Sequence, residues 1–135
     1  MLILSIEPFT DTRMSPKPAF ERDPNELLPL KPLELLILAM LANGERHGYG
    51  LHQDIVAHTN GRIAPEAGNM YRHMRRLQTE GLIEETEPKR VDGSGDRRIY
   101  YRLRPFGRRV LTAETRRLRA LIDLAEGGRT APARS

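Results

Sequence analysis

The sequence predicts a mainly α-helical domain that carries one small β-hairpin. Apolar residues recur at helical spacing in four separate segments, whereas strand-like alternation is confined to one stretch at 97–103. A run of turn-forming residues at 92–96 precedes that stretch. The chain has 135 residues, 39% of them hydrophobic, which suffices for one core and leaves no room for a second, catalytic domain.

The composition excludes several classes of protein. The chain has no cysteine, which argues against disulfide-stabilised secreted scaffolds, thiolate metal sites and cysteine nucleophiles. No apolar run approaches the length of a membrane span, and the apolar start at residues 1–6 lacks the basic segment of a signal peptide. We therefore expect a soluble, cytoplasmic protein that does not bind membranes.

Residues 1–30 are predicted to form a partly flexible N-terminal arm. Five prolines between residues 8 and 29 interrupt any sustained periodicity. Apolar residues become frequent only near the end of this segment. We expect the last part of the arm to dock on the core.

Three helices follow the arm. The first is predicted over 32–42, apolar on nearly all sides, and stops at Asn43-Gly44. The second opens at His47 and runs to about residue 58. The third starts with Pro65-Glu66, places Met70, Met74 and Leu77 on one apolar side, and is capped by Gly81. The segment 62–64 between the last two helices is too short for more than a single bridge in a sheet.

A hairpin and a fourth helix complete the fold. Residues 82–87 and 97–103 are predicted to be its two strands, with acidic residues on the first paired across to arginines on the second. The fourth helix begins after Pro105 and runs to about residue 126, where Gly127-Gly128 stops it. Residues 128–135 are expected to be a frayed tail.

This order of elements is the layout of a winged helix-turn-helix followed by one C-terminal helix. We assign residues 31–104 to the winged-helix domain and residues 105–127 to a C-terminal dimerisation helix. Such a module lays its third helix in the major groove of DNA, while the hairpin, called the wing, touches the adjacent backbone.

The charge distribution favours a polyanionic partner. The formal net charge is +4 and the pI is near 9.8, and between residues 97 and 119 nine arginines face a single acid, Glu114. The alternative is that 19 arginines against three lysines reflect genomic base composition, and that this segment is a solvated helix face.

Five sequence blocks, in this order and spacing, resemble the PadR family of bacterial transcription regulators. They are Leu35 to Leu41, His47-Gly48-Tyr49, Met70 to Leu77, Glu80-Gly81-Leu82-Ile83, and Arg97 to Leu103 followed by Gly107. The resemblance implies a homodimeric winged-helix repressor, of the branch with a short C-terminal region, that leaves its operator when an effector arrives. Some relatives stack flat aromatic drugs on tryptophans, which this chain lacks.

Candidate contacts with double-stranded DNA come from the third helix and the wing. Opposite the apolar side of the third helix lie Asn69, Arg72, Arg76 and, more laterally, Arg75. The ring of Tyr71 can pack inward while its hydroxyl reaches a phosphate. The wing candidates are Lys89, Arg90, Arg97 and Arg98. In the alternative interpretation these arginines are solvated, pair with neighbouring carboxylates, or balance Glu84, Glu85 and Glu87 across the hairpin.

The fourth helix supplies the candidate dimer contacts. They are Leu111, Leu118, Leu121, Ile122 and Ala125. The heptad-like spacing of Leu111, Leu118 and Ala125 is equally compatible with packing inside one chain, because so few repeats do not establish a coiled coil. An apolar space between the first and fourth helices of a dimer could admit a small-molecule effector of unknown identity.

The sequence indicates no metal site, no cofactor and no enzymatic activity. The four histidines form no i, i+4 pair, and neither a nucleophile motif nor a phosphate-binding glycine loop is present. The leading hypothesis is a sequence-specific DNA-binding regulator. The alternative is a winged-helix module whose basic face docks an acidic protein.

Overall fold

A computed structural model describes residues 22–87, 89–90 and 97–128 of the chain. Lys89, Arg90 and Arg97 are described only by their backbone. The part of the predicted arm before residue 22, the predicted turn at 92–96 and the predicted tail after residue 128 lie outside the described residues.

Four α-helices form among the described residues, with bounds close to those predicted. They are α1 (Pro32–Ala42), α2 (Gly48–His58), α3 (Ala67–Thr79) and α4 (Pro105–Ala125). Helix α3 begins two residues later than expected, because Glu66 is extended and acts as its N-cap residue. The carbonyl of Pro65 is 2.7 Å from Nε2 of His52, which ties this segment to α2 before the helix starts.

The sheet differs from the prediction in one strand. Strands β1 (Arg46–His47), β2 (Ile83–Glu85) and β5 (Tyr100–Leu103) form an antiparallel sheet in the order β1-β5-β2. The strand that the sequence did not predict is β1, and residues 62–64 are not in the sheet. Arg46 fixes this strand, because its guanidinium donates to Asp54 and to the carbonyls of Met40 and Gly44.

The hairpin is divided into two ladders. Glu84 lies opposite Arg102 in the β2–β5 ladder, so the expected acid–arginine pairing across the hairpin is confirmed at that rung. Beyond a break at Ile99, β3 (Lys89–Arg90) pairs with β4 (Arg97–Arg98). The predicted class is confirmed: the described chain is mainly helical, with a small sheet and a wing.

The core lies where α1 meets the other helices. Helix α1 packs against α2, α3 and α4 and against β5, and Ile37 and Leu38 at its centre are fully buried. Helix α4 crosses the start of β2 so closely that a Cβ at Gly107 would lie 2.1 Å from the carbonyl oxygen of Leu82. Only glycine permits this approach, which fixes the position of α4 against the sheet.

The end of the arm packs on the core, as expected. Leu30 is buried, and a 3₁₀ turn at Pro24–Leu27 lies against α4. The amide of Leu30 donates to the carboxylate of Glu114, which also accepts two hydrogen bonds from Arg117. Buried Glu114 therefore connects the arm to α4. Among the described helices, none is long and apolar enough to cross a membrane.

Candidate nucleic-acid interface

Helix α3 has one buried and one exposed side, as its sequence predicts. Met70, Met74 and Leu77 are buried in the core, while Arg72 and Arg75 are exposed on the opposite side. Arg75 forms no ion pair within the described part of the chain. The exposed side of α3 thus presents cations that no acidic neighbour neutralises.

Asn69 and Arg72 are held together on this exposed side. Nη2 of Arg72 donates to Oδ1 of Asn69 at 2.9 Å, which is one helical turn earlier. The hydrogen bond orients the amide of Asn69 and leaves the other donors of Arg72 available. Both side chains were expected to face outward, and Asn69 is half-buried at the edge of the exposed side.

Arg76 is less free than the sequence suggested, because it contacts a buried acid. Its Nη1 donates to Oε1 of Glu34 in α1 at 2.7 Å, and His73 lies 2.8 Å from the other oxygen. The side chain of Glu34 is 1% exposed and that of Arg76 is 45% exposed. Arg76 therefore links α3 to α1 with one nitrogen while the rest of its guanidinium borders the exposed side. Sequence reasoning missed Glu34, whose only signal is a charge inside the most apolar helix.

Tyr71 lies where α3 meets the start of α2. Its side chain is 50% exposed, and a Cβ at Gly48 would be 2.9 Å from its hydroxyl oxygen. Beside it, Tyr49, His52 and Met70 help to line an apolar cavity of about 230 Å³ between the two helices. The tyrosine hydroxyl thus lies against Gly48 of α2, and its side chain borders the cavity between the two helices. Its contact with a phosphate stays a prediction.

The wing meets the same junction through His47. Nδ1 of His47 accepts from the amide of Gly50 and caps α2, and Nη1 of Arg98 lies 3.2 Å from Nε2. Desolvation, followed by the charge of Arg98, lowers the pKa of His47, so the ring is neutral near pH 7. A neutral imidazole can accept at only one nitrogen, and the cap uses Nδ1. The exposed guanidinium of Arg98 therefore gains no hydrogen bond from the ring.

None of the hairpin acids that the structure describes pairs with Arg98. Glu84 pairs with Arg102 at 2.7 Å and lies 3.7 Å from Arg104, both away from the wing tip. In the wing ladder, Lys89 lies opposite Arg98 and Arg90 lies opposite Arg97. Two successive rungs thus bring four cationic residues together, and like charges directly opposite one another destabilise a hairpin. The side chains of Lys89, Arg90 and Arg97 lie outside the described residues.

Helix α4 continues beyond the core and exposes apolar side chains near its end. Leu121 and Ile122 are about half exposed, Ala125 is exposed, and Leu124, which sequence reasoning overlooked, is 75% exposed. Leu118 is half-buried. Leu111 is partly buried against the core of its own chain, because it lies on the first half of α4, which covers the core. Its predicted dimer contact stays a prediction.

No group of three metal-ligating side chains occurs among residues 22–87 and 97–128 that could hold an ion. His52 is engaged with the Pro65 carbonyl, His73 with Glu34, and His47 with the cap of α2. These three histidines therefore have structural contacts.

Comparisons with known proteins agree with this geometry. The sequence model of the Transcriptional regulator PadR-like family matches residues 37–113, more than half of the chain. Transcriptional regulator Rv3488 of Mycobacterium tuberculosis is 37% identical over 98 residues, covering 73% of this chain and 86% of that protein. The structure of the PadR-like regulator BC4206 from Bacillus cereus matches with a TM-score of 0.61 at 25% identity, covering 73% of this chain and 92% of that one. The structure of Bacillus subtilis PadR in complex with operator DNA matches with a TM-score of 0.54 at 22% identity, covering 63% of this chain and 47% of that one.

Proposed function

Because the chain belongs to the PadR-like family of transcriptional regulators, we propose that it is a homodimeric, sequence-specific DNA-binding repressor. The observation that carries the proposal is that the wing and α3 meet the start of α2 at two neighbouring residues, His47 and Gly48. Arg98 of the wing contacts His47, and Tyr71 of α3 lies against the adjacent Gly48. The wing and the exposed side of α3 therefore border the same surface, as binding of one duplex requires.

The wing ladder supports a phosphate partner. The register places Lys89 opposite Arg98 and Arg90 opposite Arg97, so four cationic residues share two rungs, and a phosphate backbone would offset their charge. The similar structure of Bacillus subtilis PadR was determined with operator DNA, which supports duplex DNA as the polyanion. We assign the phosphate contacts to Lys89, Arg90, Arg97 and Arg98.

Helix α3 supplies the contacts that would read the sequence. Arg72 and Arg75 carry free donors that can form paired hydrogen bonds to guanine, and Asn69 can do the same with adenine. We assign Tyr71 to a phosphate at the edge of the groove. Arg76 retains a predicted DNA contact through the nitrogens that Glu34 does not use, but its main role is to position α3.

The dimer would form through the end of α4. Leu121, Ile122 and Leu124 leave much of their apolar surface in water in the single chain. Burying such a side chain fully contributes about 1.5–3 kcal/mol. A second copy that covers all three side chains would therefore stabilise the dimer substantially. Two copies related by a twofold axis would bring two α3 helices to half-sites about one helical turn apart.

The repressor role and release by an effector rest on the family alone, and they need a functional test. In a reporter assay, the protein should lower transcription from a promoter that carries its selected site. A molecule that restores transcription and also weakens binding to the purified site is the effector. An increase in transcription instead would reverse the assignment from repressor to activator.

Selection of duplex DNA by the purified protein tests the central proposal. We expect enrichment of a twofold-symmetric sequence, and a plot of log K against log salt with a slope on the order of −7 if each protomer neutralises about four phosphates. Arg72→Ala should weaken binding to the selected site by about 10–100-fold, equivalent to ~1–3 kcal/mol.

Arg104→Ala is the matched control for that variant. Arg104→Ala removes the same charge from an exposed position away from the wing tip. The side chain of Arg104 lies 3.7 Å from the carboxylate of Glu84. Binding should fall by much less than in Arg72→Ala. A salt-independent interaction, or an acidic protein that binds while no duplex does, would favour the rival interpretation of a protein-docking module.

A further inference from the structure

Helix α4 carries a second basic surface on the side that faces away from the core. Arg108, Arg116 and Arg119 are exposed on this side, and we call them the outer arginine row. At 100° per residue they cluster opposite Phe106, Val110 and Glu114, the side chains that α4 buries. The row is therefore a separate surface and not the rim of the packed face.

The row has no acidic partner in the described part of the chain. None of its three guanidiniums forms a hydrogen bond or an ion pair there. Glu114, the one acid in the first half of α4, is buried and bound by Arg117. Acids reach the outer side of the helix only at Asp123, one turn beyond Arg119. Within residues 22–87 and 97–128, no acid compensates the charges of the row.

The shape of this surface fits an extended polyanion. Two open depressions of about 510 and 390 Å³ lie on either side of the row, which spans about 16 Å along the helix. Between the arginines lie Thr112, Ala113 and Thr115, and partly buried Leu111 is the one large apolar side chain that lines either depression. Arginine and threonine are side chains that contact phosphates, whereas a protein partner would need apolar anchors at the centre of its interface.

The row cannot belong to the DNA surface assigned above. Helices α3 and α4 each pack against α1 and make at most marginal contact with one another. Each turns its arginines away from its own packed side. Leu121 and Leu124 at the exposed end of α4 lie on a different arc of the helix from the row, and Ile122 borders it, so a dimer formed through the two leucines leaves the row accessible.

We propose that the outer arginine row binds the phosphate backbone of a second DNA segment without reading its sequence. A dimer held on one duplex by α3 and the wing would then capture another duplex through α4. The inference rests on the proposed function for the first duplex, and it adds a bridging activity to it.

A two-duplex capture experiment tests this inference. A biotinylated duplex of about 40 base pairs and mixed sequence is fixed on beads, loaded with the full-length protein at about 50 mM salt, and exposed to a fluorescent copy of the same duplex. Retained protein measures the first contact, and retained fluorescence measures the second. We expect the wild type to retain both.

Two variants separate the row from the remaining surface. Arg108→Gln/Arg116→Gln/Arg119→Gln should retain protein on the beads but reduce captured fluorescence at least about tenfold, because three phosphate contacts are lost. Arg108→Lys/Arg116→Lys/Arg119→Lys keeps the charge and should retain most of the capture. Circular dichroism confirms that both variants are folded.

Each outcome decides the question. If the glutamine variant captures the second duplex as well as the wild type does, the paired winged helices do the bridging and the inference is wrong. The inference is also wrong if the wild type is retained on the beads but captures no fluorescent duplex. This holds even if the protein binds polyglutamate in place of DNA. If no protein is retained on the first duplex, the proposed function itself fails, which is a different readout.

Discussion

Replacing Arg76 by alanine should destabilise the fold, because the substitution removes a charged partner from a buried carboxylate. Glu34 is 1% exposed, and it accepts one hydrogen bond from Arg76 at 2.7 Å. A hydrogen bond to a charged group contributes about 1.5–3 kcal/mol, and breaking a fully buried pair costs about 3–5 kcal/mol. The lower range applies, since Arg76 is 45% exposed and His73 still contacts the other oxygen.

We therefore expect a loss of ~1.5–2.5 kcal/mol in the free energy of unfolding. In urea this corresponds to a decrease of about 1 M in the midpoint at the m-value of a small domain. A double-mutant cycle with Glu34→Gln should give a coupling energy of at least ~1 kcal/mol.

Arg72→Ala is the matched control for stability. Arg72 is exposed and donates only to Asn69 in the described structure, so its removal should change stability by less than ~0.5 kcal/mol while weakening DNA binding. If Arg76→Ala unfolds at the wild-type urea concentration, or if its coupling to Glu34 vanishes, then α3 is not held on α1 by this contact.

Three further predictions concern the dimer, the arm and the α2–α3 junction. Leu124→Asp should leave the fold intact, because the side chain is 75% exposed in the single chain. The variant should sediment as a monomer, and a persisting dimer would show that the end of α4 is not the dimer interface. Hydrogen bonds from Arg117 lower the pKa of Glu114 from the ordinary glutamate value of 4.5. The stability that the ionised carboxylate contributes is therefore present at neutral pH and is lost as the pH falls below 4.5, so Glu114→Gln should flatten that part of the acid-unfolding profile. Gly48→Ala should cost ~1 kcal/mol by overpacking against the Tyr71 hydroxyl, and Tyr71→Phe in that background should recover part of the loss in thermal unfolding; simple additivity would contradict the contact.

Periodicity was sufficient to predict the helices and the facing of α3. The spacing of Met70, Met74 and Leu77 determines which side is buried, and Arg72 follows from it on the other side. Both properties depend only on neighbours along the chain. Turn and cap residues act at equally short range, so the ends of the helices were predicted within about two residues.

Contacts between distant segments could not be predicted in the same way. Arg76 has the sequence signature of an exposed arginine, and only its approach to Glu34, 42 residues away, changes its role. Leu111 has the spacing of a dimer contact, and only the crossing of α4 over the core reveals that part of its side chain also packs inside its own chain. The strand at Arg46–His47 is too short to produce any alternation, and it forms because β5 offers a free edge.

Two buried acids each hold one arginine of this chain. Glu34 and Glu114 are the buried charged residues among those described. Glu34 of α1 binds Arg76 of α3, and Glu114 binds Arg117 within α4. These acids face the core, so they do not screen the arginines that face water. The modest net charge of +4 therefore understates the field at the exposed side of α3, the wing and the outer arginine row. A polyanion meets that local field, and for this reason the placement of a few acids, more than the number of arginines, makes the surface suited to DNA.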